Sequence, residues 1–520
     1  MKNKRWAEWS VFVTSWALCL TATAATAAET SALWGKHGEK WSPQSRLPDF
    51  SYAGYHCGEA PLPDLPRGVS VKEFGAQGDG VADDSQAFLD ALVKAPRGAI
   101  EVPAGRYKIK KILEIRRPGV VLRGAGPDKS VLYFPITLTD IKPDWGATTT
   151  GERTSNYSWS GGFVWLKGSL GQETLATVKG ESRRGDQAIQ VDSAVSFKPG
   201  QWIAIAQRDP GDKTLVDYLY AGDPGDTKNL RNMRAEMPCR VTKVEGNTVH
   251  FDRPLRFDVR PAWRAHVRDF APSVRESGVE NLCFEFPNTP YKGHFTELGY
   301  NAIAMSRVAD CWGRNIRIVN SDSGIFSDGV FCTIQGVTFD SSRATERERK
   351  ATGHHGIGLG GDDNLVTDFH FKTRFMHDIT VEGCAGNVCT RGDGVDLCFD
   401  HHKRTPYANL FTDIDAGEGM RLWQCGGGAA LGKNSGAWET FWNIRARRGL
   451  KYPPSSFGPA AMNLVGLRTG PTAAEVKNLN GKWFETIEPE ELEPRDLYAA
   501  QLGRRVRELM QPLTKKKMGE

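Results

Sequence analysis

The 520 residues carry 67 Lys and Arg against 62 Asp and Glu, a formal charge of +5 that is small for the length, and the one basic run is Lys515-Lys516-Lys517 at the far end. Such a charge balance argues against a nucleic-acid partner, and beyond the N-terminal segment no stretch approaches the ~18 uncharged apolar residues of a membrane-spanning helix. Fifty-six glycines with few long helical patterns point to a turn-rich β architecture.

The chain opens with Lys2, Lys4 and Arg5, an apolar run from Val11 to Leu20, and Ala24-Ala25-Thr26-Ala27-Ala28. This is the pattern of a secretory signal over residues 1–28 and predicts a secreted or periplasmic protein. Cleavage there removes three basic residues and one acidic residue, leaving +3 and nine cysteines without a C-x-x-C pair. Most of these, Cys283, Cys311, Cys332, Cys384, Cys389, Cys398 and Cys425 among them, read as small buried hydrophobes rather than bridges, and their spacing is not that of a metal site.

After an extension over 29–68, the region 69–164 holds Val71 to Gly80, then Asp83-Asp84-Ser85-Gln86, then short β-type runs divided by tight turns. Asp83 with Gln86 predicts a capping box opening an amphipathic helix through Leu92, placed to plug one end of a strand stack. Residues 165–270 read as a β-rich insertion, and its polar loop from Asp209 to Arg234 is placed to overhang a groove. From 271 to 484, segments of one form recur: Asn281-Leu282, Asn315-Ile316, Gly336-Val337, Asp378-Ile379 and Asn443-Ile444, each a polar residue before alternating apolar ones. Their steps of 34, 21, 42 and 65 residues fit coils of about 21–22 residues with one inserted loop, as in a parallel β-helix. Residues 485–520 predict an amphipathic helix with Tyr498, Leu502, Val506 and Leu509 on one face, ended by Pro512, and a basic tail.

Phe74-Gly75-Ala76, Gly78-Asp79-Gly80, Asp83-Asp84 and Val102-Pro103-Ala104-Gly105-Arg106-Tyr107 together resemble the first coils of the pectate-lyase-like superfamily. The resemblance implies an all-β, right-handed parallel β-helix with an N-terminal capping helix, a β insertion and a C-terminal helix. It does not fix the reaction, since that superfamily includes lyases, hydrolases, epimerases and phage tailspikes. The polygalacturonase-like hydrolases of the superfamily carry a paired Asp, then Gly-His-Gly, then Arg-x-Lys. Here Asp362-Asp363 follows Gly353-His354-His355-Gly356 and no Arg-x-Lys follows, a departure that weighs against hydrolysis.

Six of the eleven histidines fall between Gly353 and Arg404: His354, His355, His370, His377, His401 and His402. Groups that titrate near neutrality, concentrated on such a scaffold, mark the candidate site. β-Elimination from a uronate needs a base, a cation for the carboxylate and an acid. His401 or His402 is the predicted base, Arg404 or Lys403 the neutraliser and Tyr407 the acid. His354, His355, Arg421, Trp423 and Asp396 are predicted to bind substrate, and Asp362 with Asp363 to offer oxygens to Ca²⁺. The alternatives are a hydrolase using Asp362, Asp363, Asp396 or Asp400, and a glycan-binding β-helix without catalysis. The predicted partner is an acidic polysaccharide and the predicted state a monomer.

Overall fold

A computed structural model describes residues 28–345, 350–469 and 483–518, the side chains from 511 onward excepted. The signal segment, Ala28 apart, lies outside the described residues. Two parallel sheets wind around one apolar core. The longer has 16 strands, from Arg67–Ser70 to Trp483–Glu485. The shorter runs in chain order through β1 (Leu113–Ile115), β2 (Val164–Lys167), β3 (Asn301–Ala309), β4 (Ser323–Val330), β5 (Gly353–Leu359), β6 (Phe375–Val381) and β7 (Phe399–His401). Ile303, Ile325, Ile357, Ile379 and Phe399 stand in register in β3 to β7, all fully buried. Burying each stabilises by about 1.5–3 kcal/mol, and identical register makes every coil support the next.

The polar residue of the sequence repeat has a backbone cause. Asn281, Asn315, Gly336, Asp368, Arg391, Asp413, Asn443 and Gly466 lie opposite one another along the longer sheet, and all take φ between +51° and +65°. A left-handed residue costs an ordinary L side chain about 1–2 kcal/mol, least for Gly, Asn and Asp, so the bend writes itself into the sequence. Asp378-Ile379 belongs instead to β6 of the shorter sheet, and the 42-residue step therefore does not join neighbouring coils.

The capping helix forms over Ser85–Lys94 without the predicted capping box. Asp83 accepts from Ser85, while the Asp84 carboxylate turns back to the amides of Gln77 and Gly78, fixing the glycine-rich turn. The C-terminal helix runs from Leu497 to Met518, past Pro512. Proline there deletes one backbone donor without ending the helix, and Leu509 is exposed rather than on the buried face. The insertion is a six-stranded antiparallel sheet within residues 174–269. All nine described cysteines are free and eight are buried. No described helix is long and apolar enough to cross a membrane.

Candidate active site

The outer face of the shorter sheet is a groove whose floor is set by register. Trp165, Ala304, Phe326, Gly358, Thr380 and Asp400 form one column across β2 to β7, at about 4.8 Å per strand. A second column precedes a bend. A Cβ on Gly356 would meet the interior ring of Phe371, yet the next residue, Ile357, is also in the core. Strict alternation therefore breaks, and His355, two residues before Ile357, stands on the outer side with Phe326 and Thr380. In β6 the paired residue is His377, and the two imidazoles stack with centroids 5.1 Å apart.

His354 lies 4.0 Å from His355 between ring centroids and 4.4 Å from His294, which arrives on the 287–300 loop. His402, just past β7, closes the group at 5.5 Å from His377. Five imidazoles thus share one floor. Asp400 organises them from beneath: its Oδ2 lies 2.7 Å from Nδ1 of His402 and 3.2 Å from Nδ1 of His377, and accepts from Thr380 Oγ1 at 3.3 Å. Thr380 Oγ1 is itself 3.0 Å from Nδ1 of His355, and the Gly426 amide donates to Asp400 Oδ1 at 2.7 Å.

The environments drive these groups apart. Burial alone would push His402 down, but the charge and hydrogen bond of Asp400 overcome it and hold the imidazole above its ordinary value. Burial would raise Asp400, but His377, His402 and the Gly426 amide keep it well below the usual carboxylate range. Burial, reinforced by the neighbouring imidazoles, pushes His354 and His355 far down, so both are neutral at pH 7. His402 and His294 are the partly exposed members, the His402 side chain being 25% exposed. With Nδ1 on Asp400, its Nε2 is the atom offered to a substrate.

The turn after His402 is strained and heavily tied. Lys403, Arg404 and Thr405 all have positive φ, 65°, 58° and 63°, a run of non-glycine residues costing on the order of 1–3 kcal/mol each. Lys403 Nζ donates to the Gly428 carbonyl, the Arg404 amide to Leu431, and the Thr405 amide to the hydroxyl of Tyr220 on the insertion. The 209–234 loop also grips the 429–433 segment through Asn229 to Ala429 and Ala430 and through Asp226 to Gly432. These contacts tie the insertion's loop to the turn that follows His402. Gly426 passes so close over the site that a Cβ would meet the rings of His402 and His377.

Residues 68–136 match the family described as rhamnogalacturonase A/epimerase, pectate lyase-like. The chain is a parallel β-helix. It is 38% identical over 98 residues to mannuronan C5-epimerase AlgE4 of Azotobacter vinelandii, covering 17% of this chain and 18% of that one. It is 32% identical over 119 residues to plasmin and fibronectin-binding protein A of Streptococcus pneumoniae, covering 20% and 16%. The chain thus spans under a fifth of either relative. Among solved structures, the tailspike protein gp49 of Pseudomonas phage LKA1 aligns over 73% of this chain and 66% of its own at 15% identity, TM-score 0.37.

Placement sorts the residues singled out from sequence. His354, His355, His402 and Arg404 come together at the groove, Arg404 at the rim with its Nε 2.9 Å from Glu382. His401 is corrected: it points inward among Phe411, Phe441 and Phe457, fully buried. Tyr407 is corrected too, being packed into the insertion's core, where burial raises its phenol far above the usual range. Lys403 spends its ammonium on Gly428. Arg421 is a strut, ion-paired with Asp378 and donating to the Phe375 and Asp396 carbonyls. Asp396, buried, pairs with Arg374, and Trp423 packs edge-on against Phe441.

The calcium assignment fails on charge. Asp363 is buried between Arg253 and Arg256, which would repel a second cation, and Asp362 accepts from the Ala385 amide, its pKa pushed up to about 7 by burial. His370 sits away from the groove, 2.7 Å from Asp393. Sequence reasoning missed the parts played by His294, His377, Thr380 and Glu382. His294 lies outside the histidine-rich window, and only the coil register shows which polar residues share a column.

Proposed function

We propose that this protein cleaves an acidic, uronate-containing polysaccharide by β-elimination, with Nε2 of His402 as the base. The observation that supports this most is the Asp400–His402 pair at the floor of a solvent-facing groove. Nε2 takes the proton from the carbon α to the uronate carboxylate. The electron pair becomes the C4–C5 double bond as the bond from C4 to the glycosidic oxygen breaks, and that oxygen takes a proton from water. Arg404, steadied by Glu382, neutralises the carboxylate as charge grows on it. The His355–Thr380–Asp400 chain keeps the His402 ring oriented. Similarity to a C5-epimerase is consistent with chemistry that begins at the same C–H bond, and the signal pattern of residues 1–28 supports export.

A second reading rests on one observation. Asp328 in β4 and Glu382 after β6 are separated by a single strand, so their carboxyls stand roughly 9–10 Å apart, close to the ~6.5–9.5 Å of an inverting hydrolase. Burial by the groove walls raises both. Incubating the protein with a panel of uronic-acid polymers separates the readings. The proposal expects an unsaturated, ultraviolet-absorbing product that His402→Gln does not make. New reducing ends without that absorbance transfer the assignment to Asp328 and Glu382, and retention without cleavage transfers it to a binding protein.

A further inference from the structure

The groove holds more imidazole than proton transfer requires. His294, His354 and His377 can each present one ring nitrogen such that all three lie within 4.8 Å of one another. Donors about 2.0–2.1 Å from a tetrahedral zinc stand roughly 3.4 Å apart, so ring movements of little more than an ångström bring the three onto one ion. His354 is 1% exposed, and neither ring nitrogen has a hydrogen bond of good geometry, its one backbone interaction being with Ser158. A buried imidazole usually satisfies at least one nitrogen. Its Nδ1 faces Glu297 Oε1 at 3.4 Å, and the Tyr291 hydroxyl fixes that same oxygen at 2.5 Å. A carboxylate beside one nitrogen of a histidine leaves the other free to ligate, and such a pairing orients metal ligands.

From this geometry we infer that His294, His354 and His377 form a binding site for a divalent transition ion of the zinc type, with Glu297 as the positioning carboxylate. Three nitrogen donors suit zinc, cobalt or nickel and not calcium or magnesium, which take oxygen. The second triplet in the groove, His377 with Asp400 and His402, is the weaker candidate, because Asp400 is already engaged by the Gly426 amide, Thr380 and His402. The inference is independent of the elimination chemistry and is read out without substrate.

The test is calorimetric titration of chelator-stripped protein with Zn²⁺, and with Co²⁺ followed by its visible d–d absorbance. One equivalent is expected, with a four- or five-coordinate cobalt spectrum unaffected by equimolar Ca²⁺. His354→Ala and His294→Ala should each weaken binding at least tenfold, and Glu297→Gln by about 10–100-fold. His370→Ala, on a histidine away from the groove, should leave it unchanged. His294 is only half-buried, so its variant keeps the test alive where His354→Ala does not fold. Absence of saturable binding, equal affinity in the His294 variant and wild type, or displacement by equimolar Ca²⁺ each overturns the site.

Discussion

Two stacks of polar side chains run along this β-helix, and they are built on opposite principles. In the longer sheet, Asn364, Asn387 and Asn409 form a buried ladder in which each Oδ1 accepts from the backbone amide of the preceding coil, at 2.9 Å each time. The amide groups of Asn364 and Asn387 donate onward at 3.0 Å, and Asn409 ends the ladder on Glu439. In the shorter sheet the imidazoles stack at similar spacing, but His354 has no hydrogen bond of good geometry and His402 meets solvent. A satisfied ladder is structure. A ladder of titratable groups with opposed proton affinities is equipment for chemistry.

The sharpest way to break the comparison is to remove one member of each stack. His402→Gln is expected to lower kcat/KM on a uronate polymer by about 10²–10⁴-fold while moving the urea midpoint little. Asn387→Ala is expected to do the reverse, costing about 2–4 kcal/mol because it strands buried partners on both neighbours. Activity per folded molecule would be unchanged. If both variants lose stability alike and neither loses turnover specifically, the two stacks are the same kind of object.

A smaller effect sharpens the pH behaviour. His354 and His355 have folded values below the ordinary ~6.5, so the unfolded chain takes up protons first and stability falls as pH drops below about 6.5. His402 works in the opposite sense: its raised value gives stability that is complete below ~6.5 and lost as pH climbs through the folded value. The two depressed imidazoles pull the urea midpoint down between roughly pH 7 and 5.5, while His402 and the carboxyls of Asp362 and Glu297, both pushed up to about 7 by burial, pull it the other way. Relative to the parent protein, His354→Gln should therefore gain stability at the acid end of this window and His402→Gln should lose it. Activity should have an acid limb, since His402 must lose its proton to act. Asp400→Asn should move that limb to lower pH.

The smallest effect tests the strained turn. Tyr220→Phe removes the hydroxyl that accepts from the Thr405 amide and donates to the Lys433 carbonyl. A loss of about 1 kcal/mol in stability and several-fold in kcat is expected, with KM for the polymer changing less.

What the sequence made legible follows from what each feature costs locally. The left-handed bend at Asn281, Asn315, Gly336 and Asn443 is visible because few residues tolerate it, and the first coils are visible through their glycine turns. The histidine window was legible as a concentration of rare residues. Which of them face the groove was not. Adjacent His401 and His402 differ only in the face their strand presents, and the same doublet, His354-His355, puts both rings on one side because the strand bends at Gly356-Ile357. Asp363 looked like a free carboxylate because Arg253 and Arg256 lie more than a hundred residues away. Such long-range partners leave no local mark.

The most direct test of the elimination chemistry is to incubate the protein with uronate polymers in D₂O and follow C5 by NMR. Removal of that proton by the Asp400–His402 pair predicts a C4–C5 unsaturated product, lost in His402→Gln. Polymer that is cut while every C5 keeps its original hydrogen would contradict the account.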